Sequence, residues 1–325
     1  MYSRGRVFLH GFFGLLFCLG LFSCGKDGQQ TELIYVPKNT TWLVHASVAR
    51  FLKNAYGKEF MSSLRGKIQA LKQWNKAGAT CIDFEKDVQT FLIAGNGAGQ
   101  YLIQLTGHFD HQAILSCFAA PKSLSPKQLS SGLTIYEFPV ALGLLGDVAL
   151  LVSGKKTESQ FSQKFFVVSK EWSTEVLELL DKKDKPSLME NPKFRSALLD
   201  EKSEQNEFFS AMFDGTLARQ IFYNSVWGAL GQAFSEAENV SMRLFGIAET
   251  RFRFVAMYGS NTKQAQDVKG RLDLWQKEIW VPMPSIELSF LRKQLKIALN
   301  GSTLVGESPV LSSELMPWHL YLQHL

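Results

Sequence analysis

Residues 89–106 carry the pattern that most restricts the fold. Two apolar runs, QTFLIA (89–94) and QYLIQLT (100–106), flank the short segment GNGAG (95–99). Strand-length apolar runs joined by a Gly- and Asn-bearing connection form an antiparallel hairpin. The same context excludes a phosphate-binding reading of GNGAG. A dinucleotide loop needs a helix N-terminus after it, and here a second strand follows. Upstream, TWLVHASV (41–48) is β-prone, and Phe60, Leu64, Ile68 and Leu71 line one side of a helix expected from about 49 to 76 and ended near Gly78. Downstream, Asp110 is the expected N-cap of a helix over 111–119.

The same order recurs. EFFSAMF (207–213) is an expected strand, Asp214-Gly215-Thr216 a turn with Thr216 as N-cap, and 217–237 a helix. VSMRLFGIA (240–248) and RFRFVAMYG (251–259) make a second hairpin. Ala265, Val268, Leu272, Trp275 and Ile279 step by three and four along a closing helix to about Trp280. Faint letter-level echoes accompany the order, SVARFL (47–52) with GTLARQIF (215–222) and IQLTG (103–107) with VAMYG (255–259). The expected fold is therefore α+β: two divergent β-α-β-β-α units, their antiparallel hairpins backed by long amphipathic helices. The first unit covers 41–170 and the second 171–285, with a C-terminal helix (near 286–298) and tail over 286–325. Between the hairpins lie three short strands, LTIYEF, VALGLL and VALLVS, split by Pro139 and Gly146-Asp147, and then a helix over 156–166. Asp181 to Pro186 is the most linker-like segment.

The N-terminal residues read differently. Arg4 and Arg6 precede a short, mostly apolar run, Val7 to Phe22, and then Leu21-Phe22-Ser23-Cys24-Gly25. A basic start, an apolar core shorter than the roughly 20 residues that span a bilayer, and a small residue at its end read as a signal peptide over 1–23. Leu21, Ser23 and Cys24 resemble the lipobox of bacterial lipoproteins, Phe22 departing from the usual smaller residue. That resemblance implies that Cys24 is lipidated and becomes the new N-terminus. One acyl chain anchors only marginally, and the modification resembled here supplies three. Residues 24–40 are then a lipidated N-terminus and tether, polar and Gly-bearing at first. Gly25 in place of Asp after the cysteine leans toward the outer membrane.

Loss of Arg4 and Arg6 takes the net charge from +5 to +3. Lys and Arg are scattered among acids without the basic stripe of a nucleic-acid reader. An apolar content of 46% suffices for a packed core. Cys18 leaves with the signal and Cys24 carries lipid, so Cys81 and Cys117 are the one pair left. In an oxidising compartment they can bridge; two buried free thiols are the alternative.

ELIYVPKNTTWLVHASVARFL (32–52), GATCIDFEKDVQTFLIA (78–94), LTGHFDHQAIL (105–115) and GDVALLVSG (146–154) resemble poorly characterised exported bacterial lipoproteins with repeated α+β units, a domain of unknown function. The likeness spans about half the chain. It implies a mixed α+β fold of repeated units and assigns neither an activity nor a functional residue.

Few residues point to chemistry. His108 and His111 flank a strand-to-helix turn in which Asp110 serves better as a cap than as a metal ligand. His45 sits among apolar strand residues and reads as a core histidine. Asp83, Glu85 and Asp87 lack the central Gly and terminal Glu of a calcium loop. Ser153 with Lys155 and Lys156 follows a strand as an ordinary turn, with no Gly-x-Ser-x-Gly elbow. Aromatics crowd the second unit, Phe208, Phe213, Phe222, Phe234, Phe252 and Phe254 among them, either as a bulky core or as a groove for an apolar ligand. Arg243, Arg251 and Arg253 alternate with apolar residues as an expected solvent-facing basic strip. The sequence therefore reads as a non-catalytic, membrane-anchored lipoprotein of the cell envelope, facing periplasm or exterior. It would be a binding or structural module for an unknown envelope protein, with no cofactor, metal or nucleic acid. Handling of lipid or another apolar ligand is the alternative, and a hydrolase using Ser153 or His108 the third class.

Overall fold

The computed structural model describes residues 32–54, 58, 84–109, 125–141, 146–153, 163–181, 185–191, 194, 207–222, 228–247, 249–277 and 293–310. They carry twelve strands, joined in antiparallel pairs, and comparatively little helix. This corrects the expected pair of β-α-β-β-α units backed by long helices. The chain falls into two compact units, one holding 32–49 and 84–194, the other 50–58 and 207–310.

In the first of these, β1 (Trp42–Ser47) leads into the four-residue helix α1 (Val48–Phe51), within which the chain crosses to the other unit. The short helix α2 (Phe84–Asp87) precedes β2 (Val88–Gly95) and β3 (Tyr101–Gly107). Their hairpin closes on Asn96, whose Oδ1 accepts from the amides of Ala98 (3.0 Å) and Gln100 (3.2 Å) while Gly99 takes φ +85°. That is an Asx-type turn and no anion loop. β4 (Lys127–Gln128), β5 (Thr134–Ala141), β6 (Gly146–Ser153) and β7 (Gln163–Val168) follow, and the order is β1-β2-β3-β7-β6-β5-β4. Two expectations change here. β5 runs through Pro139, paired with Val148, instead of ending at it. The helix placed over 156–166 gives way at Gln163 to β7, because QKFFVV is a β-prone aromatic and branched run whose Phe165 to Val168 are all buried. Helix α3 (Lys170–Leu180) then buries Trp172, Val176, Leu179 and Leu180 along one stripe.

In the other unit, β8 (Glu207–Asp214) is followed by two helices, α4 (Gly215–Phe222) and α5 (Gly228–Glu236), where one helix over 217–237 was expected. Asp214, not Thr216, caps α4: its Oδ1 accepts from the amide of Leu217 at 2.9 Å. β9 (Asn239–Phe245), β10 (Thr250–Met257), α6 (Thr262–Lys277), β11 (Lys296–Asn300) and β12 (Thr303–Val310) complete the order β11-β12-β10-β9-β8. β11 and β12 replace much of the expected C-terminal helix and tail. Gly301-Ser302, with Gly301 at φ +62°, is the two-residue turn between them, closed by the Asn300–Thr303 pair. Pro309 lies past the last β11–β12 pair, where its missing N–H costs no rung on that side.

The aromatic crowd of this unit is core. Phe213, Phe222, Phe234 and Phe254 form a chain of edge-to-face contacts with centroids 5.0–5.7 Å apart. All four are buried, as are Phe208, Phe209, Phe245, Phe252 and Tyr258. They leave no aromatic groove among the described residues. Among those residues, no helix is long and apolar enough to cross a membrane.

Candidate functional site

The most concentrated chemistry lies on one face of the unit that holds β1 to β7. Antiparallel partners share a face, so the registers put Ser47, Thr90, Thr106 and Lys164 in one row across β1, β2, β3 and β7. His45, Leu92, Gln104 and Phe166 form the row beside it. Polar residues on a buried strand face need partners, and the lead segment before β1 brings one. Leu33 and Val36 bury their side chains, and Glu32 inserts its carboxylate against the sheet.

Glu32 is 3% exposed and His45 0%. His45 Nε2 lies 3.0 Å from Glu32 Oε2, and the Thr90 hydroxyl donates to Oε1. Burial alone would push the Glu32 carboxyl up. The hydrogen bond and charge of His45, the Thr90 hydroxyl and the Lys164 charge outweigh it and hold the group below its ordinary value. Burial lowers the Lys164 ammonium, and Glu32 opposes that effect. Lys164 Nζ also sits 5.0 Å from the centre of the Tyr35 ring, a cation–π distance. Tyr35 in turn meets Phe166 edge-on at 6.0 Å, and burial raises its hydroxyl. His45 Nδ1 and Gln104 Oε1 are buried with no hydrogen-bond partner.

A carboxylate–imidazole pair is the orienting half of a nucleophilic triad. Among the described residues the one hydroxyl bonded to the pair, that of Thr90, addresses the carboxylate and not the imidazole, and solvent does not reach the ring. The arrangement performs a polar latch: it fixes the lead segment to the sheet.

In the other unit, a cleft of about 390 Å³ is lined by Arg219, Gln232, Ser235, Glu236, Gln264 and Arg271. Arg271 reaches Glu236 at 2.6 Å, and that hydrogen bond raises the guanidinium further. Both side chains are substantially solvated, so the pair is worth little energetically. Beneath it, Tyr258 donates to the Ala233 carbonyl at 2.9 Å, and burial raises its hydroxyl strongly.

The residues singled out from the sequence do not converge. Cys24, Cys81 and Cys117 lie outside the described residues, as do Asp83, Asp110, His111, Lys155 and Lys156. His108 is exposed and contacts Gln89 at 2.8 Å. Ser153 closes β6, and Glu85 and Asp87 fall on α2. Among the described residues no group of three or more His, Cys, Asp or Glu is placed to hold a metal. The basic strip is not uniform: Arg243 is buried against Glu207 (3.5 Å), Arg253 is half-buried, and Arg251 is exposed and pairs with Glu307 (3.1 Å). Glu32 and Lys164 were missed. A polar run before Glu32 looked like tether, and the one available signal was the apolar spacing of Leu33 and Val36 behind it.

No protein family and no curated protein matches the sequence. Among solved structures, crystal form III of TP0453 is similar over 89% of this chain and 97% of that chain, at 13% identity and TM-score 0.43. Crystal form IV of TP0453 is similar over 89% and 96%, at 12% identity and TM-score 0.45. A likeness at that level transfers neither fold nor function.

Proposed function

We propose that this chain is a lipid-anchored lipoprotein of the cell envelope that acts as a non-catalytic binding or structural module. The observation that carries the reading is Leu21-Phe22-Ser23-Cys24 placed directly after the basic start and the apolar run from Val7 to Phe22. The latch supports the non-catalytic part, since the carboxylate–imidazole pair found among the described residues is spent on holding the lead segment and is closed to solvent. In this reading residues 1–23 direct export, Cys24 carries the acyl chains, and the polar residues after it connect the lipid to the packed body. Two or more acyl chains give the stable attachment that one does not. The described aromatic residues of the second unit are packed into its core, and no observation favours the apolar-ligand alternative.

The test is fractionation of cells expressing the full chain or Cys24→Ser. The full chain sediments with membranes and is released by detergent but not by high salt, while Cys24→Ser moves to the soluble fraction. Equal membrane association of the two would end the reading. Mild crosslinking of the anchored form, followed by capture, then recovers a stoichiometric envelope protein if the body is a binding module.

A further inference from the structure

The latch has an asymmetry. Its receiving groups, His45, Thr90 and Lys164, stand on β1, β2 and β7, while the acid they receive comes from the lead segment. One carboxylate oxygen is bound by the imidazole and the other by the hydroxyl, and Lys164 stands in the same cross-strand row as Thr90. Two donors split between the two oxygens of one planar group is how a carboxylate is read, and the nearby ammonium supplies the balancing charge. Without Glu32, the sheet would present an imidazole, a hydroxyl and an ammonium on a buried face.

Glu32 is also placed so that it can leave without unravelling the segment behind it. The amide of Leu188 donates to the Val36 carbonyl at 2.8 Å, Pro37 forms a β-bridge with Ser187, and Asn191 Nδ2 donates to the Lys38 carbonyl at 3.1 Å. Those contacts fix 36–38 independently of the carboxylate. Between them and Glu32 only Leu33 is deeply buried, and Ile34 is 42% exposed. The face further has polar capacity that Glu32 does not use, at His45 Nδ1 and Gln104 Oε1.

We propose that His45, Thr90 and Lys164 form a carboxylate-binding site whose present occupant is the chain's own Glu32. The ligand class is a carboxylate, which enters as Glu32 swings out. Because Glu32 is tethered, its effective concentration at the site is high, and a competing ligand must add contacts beyond its carboxylate. The proposal does not depend on the lipid anchor.

Glu32→Ala tests it, with acetate as the probe. Acetate matches, in heavy atoms, the γ-methylene and carboxylate that the substitution removes. Thermal unfolding of Glu32→Ala is followed against sodium acetate, with sodium chloride, sodium phosphate and methylammonium chloride at matched ionic strength. The expected result is a saturable rise in Tm of about 2–4 °C with acetate alone, absent in Glu32→Ala/His45→Ala and absent in the parent chain at the same concentrations. Should Glu32→Ala not fold by itself, the same titration is read as recovery of the near-ultraviolet circular dichroism. An acetate effect no larger than that of chloride, an equal effect in the double variant or the parent chain, or no recovery of an unfolded variant overturns the proposal. An equal effect of phosphate overturns the assignment to carboxylates.

Discussion

Asn54 Nδ2 donates to the carbonyl of Gly246 at 3.0 Å across 192 residues of sequence. The same amide reaches the Ile247 carbonyl at 3.3 Å and the Thr250 hydroxyl at 3.2 Å, so one fully buried side chain closes the turn between β9 and β10. Gly246 stands at φ +108°, and a Cβ there would meet the Glu249 carbonyl, which leaves the turn no simpler way to be built. Asn54→Ala strips these acceptors of their donor. Equilibrium denaturation should show a loss of about 1–3 kcal/mol, the cost of unsatisfied buried polar groups. A change under 0.5 kcal/mol, roughly the scale of ordinary surface substitutions, would remove Asn54 from this role.

The latch makes stability depend on pH with a definite sign. The Glu32 carboxyl is held below its ordinary 4.5 in the folded chain. The unfolded chain therefore takes up that proton first as pH falls. The stabilisation is fully present above about pH 4.5 and is lost as pH drops through the folded value. Glu32→Gln removes the charge while keeping the shape, and leaves Lys164 without its counter-charge. It should cost on the order of 3 kcal/mol at neutral pH, and the gap to the parent chain should narrow below pH 4.5. Urea denaturation at a series of pH values measures this. A gap that stays constant or widens in acid contradicts the assignment.

Gly306 pairs with Phe254 across β12 and β10, and a Cβ at Gly306 would fall 2.0 Å from the Phe254 ring. The ring covers the glycine and cannot move freely, because its other side meets Phe234 at 5.0 Å. Gly306→Val should destabilise by about 1–3 kcal/mol through overpacking. Adding Phe254→Leu to Gly306→Val should recover part of that loss. Stability curves of the single and double variants check the coupling.

Tyr258 gives a smaller effect from the same unit. Its hydroxyl bonds the Ala233 carbonyl inside the core. Tyr258→Phe should lose about 1 kcal/mol, with no change in the far-ultraviolet circular dichroism. A neutral substitution would show that the carbonyl finds another donor.

Local pattern carried single elements, but neither the sheet architecture nor the site. QTFLIA and QYLIQLT were legible as a hairpin because strand-length runs around a Gly and Asn turn have few other solutions, and they are β2 and β3. Ala265, Val268, Leu272 and Trp275 were legible as a buried stripe because helical spacing is set within two turns, and all four are buried in α6. The sheet as a whole was not legible. β7 pairs with β3 across a long stretch of chain, and although QKFFVV is β-prone, a run this short has no periodicity that separates a buried strand from a buried helix. The β11–β12 turn did carry a local signal, Gly301-Ser302, which a Ser- and Pro-bearing tail obscured. Glu32 was invisible for a different reason. A buried carboxylate is defined by its partners, and His45 and Thr90 lie 13 and 58 residues away.

The central claim is that Cys24 is the lipid-bearing first residue of the mature chain. Mass spectrometry of the N-terminal peptide from membrane-extracted protein tests it most directly. A lipid-anchored Cys24 gives a peptide that begins at Cys24, lacks residues 1–23, and carries the added mass of three acyl chains. A peptide that retains residues before Cys24, or an unmodified Cys24, would contradict it.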